Sequence, residues 1–315
     1  MGLTKKEALH AIAAQARKRA GLDYDMGAIP TKAILEDYRR SGERPYKSFA
    51  EFMEGTPFGR GGHPDYDYLS APENANVGRT EEGVITTLFM DLKNFTKYCC
   101  FLSREKVYQA KSASIEAAIG VCRIHGGHLH EIPGDGVMFF FGGRIANPLD
   151  AARRALNAAT DAMDILEREV IKEYNDKIQF PNIHPKVGLD YGTVLWGAYG
   201  ATPVFETKAT AFNVDIAHKM MAERRSQEVA VGEDLRSFLE IDEQRYLEKG
   251  WSFERQMTVA GVEKKISYPT WVFDWRTYLN DRADESSDLA RLGTVRIPTP
   301  AVIVSKTKLG PSPLA

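Results

Sequence analysis

Hydrophobic and polar positions between residues 84 and 142 predict a compact run of strand, helix and hairpin. The predicted elements, in order, are a buried strand over 84–90, a helix over 103–124, and a β-hairpin over 128–132 and 137–141. Gly126-Gly127 ends the helix, and Pro133-Gly134-Asp135-Gly136 supplies the residues of a hairpin turn. This stretch is the part of the chain around which the rest is organised.

The remaining pattern continues the same alternation of helices and strands. The predicted elements are a helix from Pro148 to about Lys172, a hairpin over 184–192 and 194–200, a helix from about Phe212 to Arg225, a strand over 229–231, a helix over 233–239, and a late antiparallel pair over about 252–260 and 267–275. The order strand, helix, strand, strand, helix, strand is ferredoxin-like. The predicted fold class is α+β, with a mostly antiparallel sheet flanked by helices.

Segments outside this region have a different character. Residues 1–80 are expected to form an arm, with a helix from Thr4 to Gly21, a short helix starting at Pro30 and an irregular stretch from Gly42 to Asn76. Residues 281–315 read as a charged and then Pro-rich tail. One domain over 81–280 is therefore predicted, with an extension on each side.

Composition excludes several classes of function. The net charge of −2 provides no field that would gather nucleic acid. No apolar run approaches the ~20 residues needed to span a bilayer, and the polar N-terminus does not resemble a signal peptide. Three cysteines without Cys-x-x-Cys spacing are typical of reduced thiols. We therefore expect a cytoplasmic protein with neither a nucleic acid nor a membrane as partner.

Two aspartates stand out as candidate chemistry. Asp91 follows the strand over 84–90, and Asp135 lies at the tip of the hairpin. A central strand, one crossover helix and a hairpin would bring both carboxylates to one edge of the sheet. Two carboxylates at so short a distance repel each other unless a cation lies between them. Carboxylate oxygens are hard ligands, which suit Mg²⁺ or Mn²⁺. A pair of such metals can clamp the attacking and leaving oxygens of a phosphoryl transfer. The nearby histidines His128 and His130 are a weaker alternative metal pair.

Three motifs give the chain a resemblance to the class III nucleotidyl cyclases, which are adenylate and guanylate cyclases. They are Phe89 through Thr96, Gly126 through Phe141 with its Gly134-Asp135-Gly136 turn, and Val214 through Met220. The resemblance covers about residues 82–275. It implies that a nucleoside triphosphate is cyclised to the 3′,5′-cyclic monophosphate and pyrophosphate by a two-metal mechanism. It also implies two divalent cations held by Asp91, Asp135 and the Leu92 carbonyl, and a homodimer whose two chains share each active site.

The resemblance assigns further roles to a helix near residue 215. In the family, an Asn orients the ribose and an Arg four residues later stabilises charge at the α-phosphate. The corresponding residues here are Asp215 and Lys219, which would face the same way on a helix. Alignment on Asn213 instead would put Ala217 at the second position, so we prefer the first register. Lys219 keeps the positive charge but lacks the bidentate fork of arginine.

Two other segments resemble the family's triphosphate-binding parts. The turn Asn94-Phe95-Thr96 leads into a helix, whose free backbone N–H groups would hold β- and γ-phosphate oxygens. A late turn that carries Lys264 and Lys265 resembles the segment that supplies a further cation. Both are expected to bind substrate.

The expected base-reading residues fit neither purine pattern. In the family, the position four before the second metal aspartate is Lys for adenine and Glu for guanine, and here it is Glu131. The partner position is Asp for adenine and often Cys for guanine, and here it is Lys208. An acceptor beside a cationic donor suits uracil or cytosine, with UTP slightly favoured over CTP. These features most resemble the bacterial Pycsar-type pyrimidine cyclases, which make cyclic UMP or cyclic CMP as second messengers in anti-phage defence.

Several alternatives stay open at this point. Glu131 also matches a guanylate cyclase, although the usual ribose Asn and phosphate Arg are missing. A catalytically inactive, nucleotide-binding dimerisation module would normally lack a metal carboxylate, and both are present. A diguanylate cyclase would need a Gly-Gly-(Asp/Glu)-Glu-Phe hairpin, which residues 133–137 do not supply. A nucleic-acid-binding module of this order would want basic and aromatic side chains on its central strands.

Overall fold

The computed structural model describes residues 5–19, 80–142, 147–172, 183–201, 204–223, 225 and 227–284. Their elements are α1 (Lys5–Arg19), β1 (Thr80–Lys93), α2 (Phe95–Phe101), α3 (Arg104–Ile124), β2 (His128–Glu131), β3 (Val137–Gly142), α4 (Pro148–Ile165, continued by a π-helical turn over Leu166–Val170), β4 (His184–Ala201), β5 (Val204–Thr210), α5 (Phe212–Glu223), β6 (Val229–Gly232), α6 (Glu233–Phe238), α7 (Ile241–Gln244), β7 (Leu247–Val259), β8 (Val262–Phe273) and α8 (Trp275–Asp284). Among these residues, no helix is both long enough and apolar enough to cross a membrane.

The strands form one eight-stranded sheet in the order β2-β3-β1-β4-β6-β8-β7, and β5 pairs with the outer part of β4. The β4–β6 pair is parallel, and the other pairs are antiparallel. This arrangement confirms the predicted α+β class with a mostly antiparallel sheet. The long ladder between β1 and β4 lies at the centre, and it carries Asp91 to one end of the sheet.

Helices cover both faces of the sheet, and the alternation of side chains along β1 shows how. Leu88 and Met90 pack into the core formed with α1, α3 and α4. Ile85 and Phe89 point to the other face, where they pack with residues of α5. Since successive side chains of a strand face opposite sides, a strand buried on both faces reads as a continuous apolar run. That is the run by which the sequence predicts this strand.

The second predicted hairpin is wrong. Residues 184–201 form the single strand β4, and Gly192 does not turn the chain but pairs with Ile85 in the ladder. The reason is packing against α5, because a Cβ atom on Gly192 would lie 3.1 Å from Cγ of Asn213. A glycine within a strand often marks such a close approach rather than a turn.

The C-terminal boundary also differs from the prediction. Asp274 accepts a hydrogen bond from the backbone N–H of Thr277 (3.1 Å), and α8 begins at Trp275 and continues to Asp284. A carboxylate at this position caps the first turn of a helix, which ends the strand before Trp275. The predictions for residues 20–79 and 285–315, including the short helix at Pro30 and the Pro-rich tail, lie outside the described residues.

Gly188→Ala is expected to destabilise the protein by about 1–3 kcal/mol, as overpacked cores are. The added Cβ would lie 2.2 Å from the carbonyl oxygen of Ala217, so α5 would have to move away from the sheet. Urea denaturation followed by circular dichroism measures the loss. Thr193→Ala, at an exposed position on the same strand, is the control and should change stability little. An unchanged midpoint for Gly188→Ala would contradict this close packing.

Candidate active site

The structure brings the two predicted metal carboxylates together. Asp91 lies near the end of β1, and Asp135 lies in the turn between β2 and β3. The turn sits tightly on β1, because a Cβ atom on Gly136 would lie only 2.3 Å from the Met90 carbonyl oxygen. Gly134 has the positive φ of 59° that favours glycine. Both glycines are therefore needed to press Asp135 against the end of β1.

The electrostatics of this pair favour a cation. Burial, the negative charge of Asp91 and a hydrogen bond that protonated Asp135 donates to Asp91 together raise the pKa of Asp135 to about 6. The positive charge of Lys111 acts weakly in the opposite direction. A carboxylate pair with this repulsion gains stability when a cation binds between its oxygens. The donor set therefore fits a hard divalent ion.

Lys186 is a charged neighbour of this pair that the sequence analysis does not include. It lies directly opposite Asp91 in the β1–β4 ladder, and its Nζ lies 3.0 Å from Oδ2 of Asp91. Its side chain is only 8% exposed. A buried ammonium group needs a partner of opposite charge, so this contact holds the Asp91 carboxylate in one orientation.

A small pocket adjoins the carboxylates. The residues that line it include Asp91, Leu92, Asp135, Ser114 of α3 and Leu166 of the π-helical turn. In the described part of the chain, no three His, Cys, Asp or Glu side chains cluster as metal ligands. A metal here would depend on two carboxylates and main-chain oxygen. Because a leucine side chain has no atom that binds metal, only the carbonyl group of Leu92 is a candidate ligand.

The predicted phosphate-binding turn directly follows β1. Asn94 has a φ of 71°, and its carbonyl oxygen accepts a hydrogen bond from the N–H of Lys97 (3.0 Å). Asparagine tolerates this left-handed conformation better than most residues. Phe95 begins α2 with its side chain in the core, and Thr96 is exposed. Phe95 can therefore offer a substrate only its backbone N–H.

The two expected base-reading residues contact each other. Nζ of Lys208 on β5 lies 2.7 Å from Oε2 of Glu131 on β2, and both side chains are partly exposed. The β2–β3 register shifts between Leu129 and Glu131, and such a bulge re-aims a side chain. The neighbouring His130 packs its ring 4.5 Å from the ring of Phe140, so it behaves as an aromatic residue of the core.

Helix α5 carries on its exposed face the two residues that are expected to bind the ribose and the α-phosphate. Asp215 and Lys219 form an ion pair along the helix, with side chains 57% and 41% exposed. Asn213, the residue of the rejected register, is only 3% exposed and packs against Gly192. Asp215 and Lys219 are thus open to a ligand in the single chain, whereas Asn213 is not.

The late lysines lie near the tip of the β7–β8 hairpin. The hairpin turns at Ala260 and Gly261, both with positive φ. Lys264 and Lys265 are exposed on β8, and Nζ of Lys265 lies 3.0 Å from Oε2 of Glu254. Their side chains thus point to opposite faces of the hairpin.

Sequence comparison finds curated relatives that are named cytidylate cyclases. The chain is 30% identical over 237 residues to a cytidylate cyclase of Staphylococcus aureus, which covers 72% of this chain and 54% of that protein. It is 32% identical over 194 residues to a cytidylate cyclase of Escherichia coli, which covers 59% of this chain and 41% of that protein. The chain therefore spans about half the length of these curated relatives or less. No protein-family model matches the chain.

Structural comparison agrees with the fold that the motifs imply. A bacterial light-regulated adenylyl cyclase matches with a TM-score of 0.51 and 14% sequence identity, over 81% of this chain and 67% of that one. The chain contains a domain with the class III nucleotidyl cyclase fold. In this chain, Asp91 lies near the end of β1 and Asp135 lies in the turn that packs on it. The missing Cβ atom of Gly136 is what allows this close packing.

One residue of this domain had a detectable signal in the sequence. Lys186 directly precedes the strand residues Val187-Gly188-Leu189, and a buried lysine at the end of a central strand needs a partner of opposite charge. The identity of that partner depends on the register of two strands far apart in sequence. The Glu131–Lys208 pair depends on strand pairing in the same way.

Proposed function

We propose that this chain is a nucleotidyl cyclase that converts a pyrimidine nucleoside triphosphate to its 3′,5′-cyclic monophosphate and pyrophosphate. The observation that carries the proposal is the contact between Asp91 and Asp135, two carboxylates that would repel each other without a cation. Sequence similarity to cytidylate cyclases supports the reaction type.

The residues at the strand end fit a divalent metal, Mg²⁺ or Mn²⁺, and the resemblance implies two such ions. Asp91 and Asp135 would hold them, with the Leu92 carbonyl as a third ligand. Bound metal would lower the pKa of the attacking ribose 3′-hydroxyl and would neutralise negative charge on the leaving pyrophosphate. Lys186 keeps the Asp91 carboxylate oriented toward this site.

Other residues of the chain would bind and orient the substrate. The backbone N–H groups of Phe95 and Thr96 point out of the first turn of α2 and would hold β- and γ-phosphate oxygens, with Asn94 shaping the turn. Asp215 would accept hydrogen bonds from the ribose hydroxyls, and Lys219 would stabilise negative charge at the α-phosphate. Such placement reduces the entropy cost of an in-line attack.

Glu131 and Lys208 would read the base. Nζ of Lys208 lies 2.7 Å from Oε2 of Glu131, and a base would enter between the two groups. Cytosine would donate its amino group to Glu131 and accept from Lys208 at N3 or O2, whereas uracil would donate N3–H and accept at O4. Residue types alone favour UTP slightly, and the names of the relatives favour CTP. We therefore propose CTP first and UTP second.

The proposed assembly is a homodimer with two equivalent sites, because the chain carries one copy of each motif and the resemblance implies shared sites. One chain would supply Asp91 and Asp135, and the other would supply Asp215, Lys219 and the base-reading pair. The proposed setting is the bacterial cytoplasm, where the cyclic nucleotide would serve as a second messenger in anti-phage defence.

Incubation of the purified chain with each of the four nucleoside triphosphates and Mn²⁺ tests the proposal. We expect cyclic CMP or cyclic UMP together with an equal amount of pyrophosphate, and only background product from ATP and GTP. Discrimination arises because the wrong base leaves Glu131 or Lys208 unpaired in the site. Mass spectrometry identifies the product, and addition of EDTA is the control that should stop the reaction.

Two other results would lead to different conclusions. Cyclic GMP as the single product would make the chain a guanylate cyclase, the alternative that Glu131 also fits. Absence of every cyclic product, with nucleotide binding retained, would indicate a nucleotide-binding dimerisation module and would overturn the proposed activity.

A further inference from the structure

A row of charged side chains runs along the outer face of α5. Asp215, Lys219 and Glu223 are spaced by four residues, so they lie on one side of the helix. Nζ of Lys219 lies 5.8 Å from the centre of the Phe253 ring on β7. Strand β7 therefore lies beside Lys219.

Arg255 lies at the same aromatic ring. It is two residues after Phe253, so both side chains share one face of β7. Its guanidinium carbon lies 4.3 Å from the centre of the Phe253 ring, and its Nη2 lies 3.5 Å from Oε1 of Glu223. Two cations, one from α5 and one from β7, thus flank a single ring.

The ion pair of Arg255 with Glu223 is weak, and Nη1 of Arg255 also donates a hydrogen bond to the Glu254 carbonyl oxygen (3.0 Å). The Arg255 side chain is 53% exposed and that of Glu223 is 43% exposed, at a separation of 3.5 Å. Exposed pairs of this kind stabilise a protein little, so an incoming phosphate group can displace Glu223 at little cost. Stacking on Phe253 keeps the guanidinium plane in place while that exchange occurs.

We infer that Arg255 binds the triphosphate of the substrate beside Lys219, a role that rests on the proposed function. Arginine offers a planar fork that bonds two phosphate oxygens at once, whereas lysine offers a point charge. The cation that α5 presents beside Phe253 is the lysine Lys219, so α5 itself offers no fork there. Arg255 supplies it from the adjacent strand.

The β7–β8 register separates the two late lysines. Arg255 lies opposite Ile266 and Met257 lies opposite Lys264, so Lys264 shares the face of Arg255 and Phe253. Lys265 lies on the other face, where it pairs with Glu254. Lys219, Arg255 and Lys264 therefore form a row of cations, because Arg255 and Lys264 share the face of the hairpin that carries Phe253 and Lys219 lies beside the same ring.

Steady-state kinetics of Arg255→Ala tests the inference on the full chain. We expect kcat/KM for the preferred nucleotide to fall ~10- to 100-fold, because a forked, charge-assisted contact to phosphate is lost. Arg255→Lys should recover only part of this loss. The matched control is Arg276→Ala. Arg276 is likewise about half exposed, stacks on Trp275 and pairs with Glu167, but it lies outside the row. This control should retain kcat/KM within about twofold.

Two further measurements separate phosphate binding from other roles. If Arg255 acts only by pairing with Glu223, Glu223→Gln will reproduce the loss, whereas we expect this variant to bind the substrate equally well or better. Calorimetric binding of inorganic tripolyphosphate gives a readout that needs no turnover, and we expect Arg255→Ala to weaken it at least about fivefold. Equal tripolyphosphate affinity for Arg255→Ala and Arg276→Ala would overturn the inference. Failure of the wild type to cyclise any nucleotide would overturn the proposed function and leave the binding result to judge Arg255 alone.

Discussion

Asp135→Asn is expected to reduce cyclic nucleotide formation by roughly 10³-fold or more while the protein remains folded. The substitution keeps the shape of the side chain but removes one of the two carboxylates at the strand end. A neutral amide beside Asp91 cannot balance the charge of bound divalent metal. Turnover with saturating Mn²⁺, measured for the nucleotide that the wild type prefers, gives the result. Activity at the wild-type level would remove Asp135 from the site.

The same variant gives a stability readout that a purely structural role would not. The pKa of Asp135 is raised to about 6 from an ordinary value of 3.8, so the folded protein binds this proton more tightly than the unfolded chain does. Stability of the metal-free wild type should therefore fall as pH rises from about 4 through 6, and Asp135→Asn should lack this contribution. Denaturation at pH 4.5 and pH 7.5 in EDTA compares the two. A variant that is less stable than the wild type at pH 7.5 would contradict the repulsion.

The core of this site is predictable from sequence because its parts are local. A continuous apolar run predicts β1, and the turn residues around Asp135 predict the β2–β3 hairpin. The positions of both aspartates, near the end of β1 and in the β2–β3 turn, are therefore predictable once these two elements are recognised. The structure adds the reason for Gly136, whose missing Cβ lets the turn touch the backbone at Met90.

Features that depend on pairing between distant segments are not predictable in this way. Lys186 meets Asp91 only through the register of β1 with β4, almost one hundred residues later in the chain. Arg255 and Lys219 come to the same ring, that of Phe253, only through packing of α5 beside β7. The wrong hairpin at Gly192 has the same origin, since turn chemistry and close packing both select glycine. The neighbours of a candidate site residue are thus harder to predict than the residue itself.

Two inactive variants are expected to restore each other when they form one dimer. In the proposed arrangement, Asp135 acts from one chain and Lys219 from the other at each site. A heterodimer of Asp135→Asn with Lys219→Ala would then have one site with both changes and one intact site. We expect doubly tagged heterodimers, purified through both tags, to show about half of the wild-type activity. Each variant alone should be nearly inactive.

The control for this experiment is a doubly tagged dimer in which both chains carry both substitutions. This dimer has no intact site and should stay inactive. Light scattering before and after the assay verifies that each preparation is dimeric. No recovery in a verified heterodimer would mean that Asp135 and Lys219 of one chain serve the same site, and the shared-site proposal would fall. Recovery has a further consequence for the exposed face of α5. Asp215 and Lys219 are 57% and 41% exposed in the single chain, and a second chain that brings Asp91 and Asp135 against them accounts for that exposure.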